Sequence, residues 1–97
     1  MSEVNILRLT TGEELIAKIE SNTDTQYSLS DVMIIIPTRE NSIGLVPFMP
    51  YSNCQQEGLQ VNKSNVMFIL SPHKDLLSRY NEITSNIITQ DKELITP

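Results

Sequence analysis

From Val4 to Leu70 the apolar positions mostly recur at every second residue, and from Ser71 onward at every third or fourth. The first spacing is that of strands and the second that of a helix. Val4 to Leu9 (V-N-I-L-R-L) reads as a strand. Thr10, Thr11, Gly12 and Glu13 then supply a turn in which Gly12 takes the positive φ that only glycine adopts cheaply. Leu15, Ala17 and Ile19 alternate with Ile16, Lys18 and Glu20, which predicts a strand with one face on a core and the other toward water. Glu, Leu, Ala and Lys also suit a helix, but Gly12 sits badly before one so short. Ser21 to Gln26 is a polar loop.

The third strand, Tyr27 to Ile36, begins in alternation, meets Asp31 and becomes the continuous apolar run Val32 to Ile36. That change of phase beside a short polar residue predicts a bulge, and bulges bend sheets. After a turn over Pro37 to Ser42, Ile43 to Tyr51 has strand content broken by Pro47 and Pro50, which confines it to an edge or an irregular path. Ser52 to Gly58 is a polar excursion. Leu59 to Leu70 (L-Q-V-N-K-S-N-V-M-F-I-L) then places two β-favouring runs around Asn62, Lys63, Ser64 and Asn65, the pattern of a hairpin.

Ser71 and Pro72 read as a helix cap and first-turn pair, with His73 and Asp75 in the early turns. Leu76, Leu77, Tyr80, Ile83, Ile87 and Ile88 form an apolar stripe. The predicted fold is therefore mainly β with one helix: a strongly bent five-stranded antiparallel sheet forming a small open barrel, with strands within 4–70. A C-terminal helix is expected over about 72–89 and a frayed tail over 90–97.

At 97 residues the chain makes a single domain, and a domain of this size buries only roughly 60 to 65 per cent of its unfolded surface, so assembly would help it. The net charge of -5 argues against sequence-independent binding of nucleic acid, and any polyanion site must be local. The lone Cys54 cannot form an intramolecular disulfide. The N-terminus lacks a basic leader, and the longest apolar run is far short of the roughly 20 residues that span a bilayer, so a cytoplasmic protein with no membrane partner is expected.

The chemistry-bearing residues are sparse. One histidine and one cysteine make no zinc site, and no phosphate loop, nucleophile elbow or H-E-x-x-H motif occurs. Glu13 and Glu14 are adjacent, so on a strand their carboxylates diverge. Phe68 shares a face with Val66 and Leu70 and reads as core, not as a base-stacking platform. No enzyme, metal or cofactor is expected.

Two stretches carry a family resemblance. I-L-R-L-T-T-G-E-E-L-I-A-K-I-E, followed by a polar loop and Y-S-L-S-D-V, is similar to the Sm1 motif. V-N-K-S-N-V-M-F-I resembles the Sm2 motif and the corresponding basic turn of bacterial Hfq. With P-F-M-P-Y in the fourth strand and S-P-x-x-x-L-x-x-x-Y in the helix, the chain most resembles the Sm-like proteins carried by marine cyanophages. It departs from the family in placing Asn22 at the usual Asp, Gln26 at the usual Asn, Asn62 and Lys63 at the usual Arg-Gly, and its helix at the C-terminus.

The resemblance implies a homo-oligomeric ring of roughly five to seven subunits, in which the fourth strand of one subunit pairs with the fifth of the next. Leu45, Val46 and Phe48 would meet Val66, Met67, Phe68, Ile69 and Leu70 there. It also implies a single-stranded RNA site near a central pore, where Lys63, Asn62, Ser64 and Asn65 meet Asn22, Asp24 and Gln26. The location implied is the cytoplasm, that of a host cell for a phage product. A second reading keeps the ring and makes a host or phage protein its partner, as the acidic charge and the helix stripe suggest.

Overall fold

The computed structural model describes residues 3–38, 42–53 and 57–95, with side chains as far as residue 85. Among the described residues six strands precede the C-terminal helix: β1 (Glu3–Leu9), β2 (Glu14–Asn22), β3 (Gln26–Pro37), β4 (Ile43–Pro47), β5 (Leu59–Asn62), β6 (Val66–Leu70) and α1 (Lys74–Ile95). The pairings are antiparallel. The sheet runs β4-β3-β2-β1-β6, and β5 pairs with the first half of β3 while β4 pairs with the second. The fold is mostly β, an open sheet with a C-terminal helix, as the alternation predicts.

The turn between β1 and β2 closes with the Gly12 N–H donating to the Leu9 carbonyl at 2.9 Å, and Gly12 stands at φ 106. A Cβ there would meet no neighbour within 4 Å, so only the backbone opposes a side chain. Gly12→Ala is expected to cost roughly 1–2 kcal/mol, read as a lower urea midpoint at unchanged slope.

Bending comes from three irregularities. Ile16 pairs with Met33 and Lys18 with Ser30, leaving one extra residue on β3, and Asp31 takes a left-handed φ of 48. Asp tolerates that conformation better than most side chains. A second shift between Ile19 and Ser21 puts an extra residue on β2, and a third lies between β1 and β6 at Arg8 and Leu9. The bulge predicted beside Asp31 is thus present.

The hairpin expected over Leu59 to Leu70 is not formed. Leu59–Asn62 pairs with the first half of β3, Leu29 opposite Leu59 and Gln26 opposite Asn62, whereas β6 pairs with β1, Ile6 opposite Leu70. Between them Lys63–Asn65 forms a 3-10 turn in place of the expected two-strand reversal. The physical reason is competition: β3 and β1 each offer a free edge, and each run gains a full ladder there. The described sheet therefore has six strands and not the expected five, and the chain crosses from one end of the bent sheet to the other. Among the described residues no ladder joins β5 to β6, so the sheet stays open.

Apolar side chains lie in two layers. Leu7, Leu15, Ala17, Leu29 and Val32 form the inner cluster, against which Phe48, Val61, Val66 and Ile69 pack. On the opposite face Ile16 and Met33 meet Tyr80 of α1, with Leu45, Leu76 and Ile83 around them. Ile16, expected on a watery face, is fully buried because α1 lies over it. The helix thus packs on its own sheet.

The helix begins later than Ser71. The Leu77 N–H donates to the His73 carbonyl at 2.9 Å, so His73 occupies the cap position and not the first turn. It runs on to Ile95, past the expected end near 89, because no Gly or Pro intervenes before Pro97. Cys54 and the packing of Ile87 and Ile88 lie outside the described residues. No described helix is long and apolar enough to cross a membrane.

Candidate nucleic-acid interface

The polar cluster is assembled where β3 leaves its first turn and β5 ends. Asn22 closes β2, and Thr23 begins a tight loop whose hydroxyl accepts the backbone N–H groups of Thr25 (3.3 Å) and Gln26 (3.1 Å). That local hydrogen bonding shortens the predicted six-residue loop by pulling Gln26 into the ladder. Antiparallel register then sets Gln26 opposite Asn62. The Gln26 Nε2 donates to Asn62 Oδ1 at 3.0 Å. One position on, the Lys63 backbone N–H donates to the Thr25 carbonyl at 2.8 Å, which ties the 3-10 turn to the β2–β3 loop.

The Lys63 side chain folds back over this platform. Its Nζ donates to Asn22 Oδ1 at 3.3 Å and stands 4.9 Å from the centroid of the Tyr27 ring, within range of a cation–π interaction. Asn22, Gln26, Asn62 and Lys63, separated by 41 positions at their extremes, are therefore neighbours within one chain. Asp24 is exposed at the loop tip and Ser64 is exposed in the 3-10 turn. Asn65 is held by its backbone, whose carbonyl accepts the Thr10 N–H at 2.8 Å.

Tyr27 is the member that sequence reasoning misses. The alternation makes it only the first residue of a strand, although an aromatic immediately after the polar loop is signal enough to place a ring at the loop's foot. Gln60 extends the platform along β5, its Nε2 donating to Ser28 Oγ at 3.0 Å.

The expected subunit-interface residues divide. Leu45, Phe48, Val66 and Ile69 face the chain's own clusters. Val46 (40 % exposed), Met67 (54 %), Phe68 (54 %) and Leu70 (60 %) face outward, on the two strands that end the sheet path. The other candidates carry little chemistry. Glu13 takes a hydrogen bond from the Thr11 hydroxyl, which holds its carboxyl below the usual range, while Glu14 pairs with Arg8 at 3.3 Å. The two carboxylates diverge as expected. Among the described residues no group of His, Cys, Asp and Glu could hold a metal ion.

No protein-family model matches the chain, and no curated protein matches it.

Proposed function

We propose that this protein assembles into an Sm-like ring and binds single-stranded RNA through the cluster around Lys63. The observation that carries the reading is the ammonium of Lys63, placed 4.9 Å above the Tyr27 ring and beside the amides of Asn22, Gln26 and Asn62. A base that displaced the ammonium from the ring face would stack on Tyr27 and leave the charge to meet a phosphate, and the amides have the donors and acceptors that base edges require. In a body of net charge -5, phosphate attraction must come from such a local cation repeated around a ring.

Assembly is supported by the outward apolar side chains on β4 and β6, since an open edge so furnished pairs or aggregates. A head-to-tail arrangement that closes satisfies both edges at once.

Fluorescence anisotropy with short U-rich and A-rich RNA at low salt tests the site. Lys63→Ala is expected to weaken binding about tenfold and to flatten the salt dependence by about 0.7 for each phosphate left without its cation. Absence of binding tighter than millimolar, or indifference to Lys63→Ala, would overturn the RNA reading. A ring that captures a defined protein and no nucleic acid would instead make the chain a protein-interaction module.

A further inference from the structure

A cavity of about 400 Å³ opens between the start of β4 and the first two turns of α1, lined by Ile43, His73, Asp75, Leu76 and Arg79. Its floor is aliphatic. Ile43 and Leu76 are half-buried, and Leu76 belongs with Leu45 and Ile35 to the layer around Tyr80. The charged side chains Asp75 and Arg79 are exposed at its mouth, and so is His73, whose carbonyl is held by the Leu77 N–H at 2.9 Å.

Asp75 and Arg79 stand one turn apart on the helix, the spacing at which opposite charges ordinarily pair. Here they do not. The described ion pairs are Arg8 with Glu14 and Lys18 with Asp31, and neither Asp75 nor Arg79 has a hydrogen-bond or ion-pair partner among the described residues. A carboxylate and a guanidinium are therefore both open beside one aliphatic floor.

We infer that this cavity binds a free α-amino acid with an aliphatic side chain, its carboxylate on Arg79, its ammonium on Asp75 and its side chain against Ile43 and Leu76. The guanidinium fork matches a carboxylate in a two-bond arrangement, and the Asp75 oxygens accept from an ammonium. The pair of charges also selects. A simple anion such as phosphate gains Arg79 and is opposed by Asp75, and a simple cation meets the reverse; a ligand with both charges satisfies both. An internal peptide residue and a nucleoside carry neither. An apolar pocket with a few polar groups at its rim is the usual make-up of a small-molecule site, and this volume sits near the lower end of that range, enough for one amino acid and not for a large ligand. Exposed charges contribute little each, so binding in the millimolar range is expected. The site shares no residue with the Lys63 cluster and does not rest on the RNA-binding reading.

The test titrates leucine, leucinamide, N-acetylleucine, glycine and inorganic phosphate into the isotope-labelled full chain by amide NMR. Leucine is expected to shift Ile43, Leu76 and Arg79 saturably. Leucinamide lacks the carboxylate, N-acetylleucine the ammonium and glycine the side chain, and each is expected to bind about tenfold more weakly or worse. Arg79→Gln should erase the advantage of leucine over leucinamide and keep that over N-acetylleucine, and Asp75→Asn should do the reverse; both side chains are exposed, so the core beneath is untouched. Absence of saturable shifts with leucine overturns the proposal. So does equal binding of all the amino-acid probes, a preference that both variants retain, or phosphate binding as tightly as leucine. The same titration in Lys63→Ala is expected to match the wild type, which separates the fate of this cavity from that of the RNA site.

Discussion

Tyr80→Ala is expected to remove roughly 3–5 kcal/mol of stability, the largest effect of any single substitution outside the inner cluster. Tyr80 is fully buried between Ile16 and Met33, and its hydroxyl donates to the Asp31 carbonyl at 2.6 Å. That carbonyl belongs to the bulge residue with φ 48, and the Asp31 side chain is itself held by Lys18 at 3.0 Å. One ring thus fills the layer between helix and sheet and fixes the backbone at the bend. A domain has only about 5–15 kcal/mol to lose, so the variant should be near its unfolding limit.

Its helix should loosen as well, because most helical stability in a protein comes from packing an apolar face and not from propensity. Tyr80→Phe keeps the ring and orphans the carbonyl. About 1 kcal/mol, or a fall in Tm of roughly 4–8 °C, is expected from calorimetry. Equal Tm values for Tyr80→Phe and the wild type would remove the hydroxyl from this account.

The same residue makes stability depend on alkaline pH. Burial, reinforced by the carboxylates of Asp31 and Glu20, pushes the Tyr80 phenol far above its ordinary value of 10.0. A group whose folded pKa is raised holds its full stabilisation below the unfolded pKa and loses it as pH climbs above that point. Tm is therefore expected to fall above about pH 10 in the wild type, and less steeply in Tyr80→Phe. The phenolate absorbance of one tyrosine should appear only as the protein unfolds.

The second large effect concerns assembly. Phe68→Glu together with Leu70→Lys should convert a ring into a folded monomer of 11.0 kDa, read by light scattering at micromolar concentration. Both side chains are more than half exposed in the single chain, so charging them leaves the clusters beneath undisturbed. Each protomer would lose the burial of two large apolar groups and gain desolvated charge. That is at least about 3 kcal/mol per interface, over a hundredfold in association. Val46→Lys on β4, the opposite end of the sheet path, should give the same result from the other side. A wild type that is already monomeric at that concentration would contradict the ring.

How much of this is legible in the sequence varies with how local its cause is. Gly12 and the bulge at Asp31 are readable because each is a short-range conflict: a turn that needs positive φ, and an alternation that slips by one residue. The strand character of Glu14–Asn22 is readable, but not the burial of Ile16, because alternation says which residues share a face and not what covers that face. The hairpin fails for a related reason. Asn62 to Asn65 has the composition of a reversal, and only the free edges of β1 and β3, set by distant residues, decide that the chain crosses over instead. At the candidate site, Asn22, Gln26, Asn62 and Lys63 stand out by motif and Tyr27 by its place after the loop, whereas the contact of Lys63 with the Tyr27 ring emerges only once β5 is laid beside β3.

The 3-10 turn couples two places that the sheet otherwise keeps apart. Its first residue is Lys63, tied by backbone to the β2–β3 loop, and its last, Asn65, accepts from Thr10 at the end of β1. Three residues leave little slack, so in the proposed ring a displacement of β6 toward a neighbouring subunit would be passed to the ammonium over Tyr27, and a ligand that moved the ammonium would pull on β6. By reciprocity, a strand of RNA that tightens the ring by some factor must itself be held more tightly by the closed ring by that same factor.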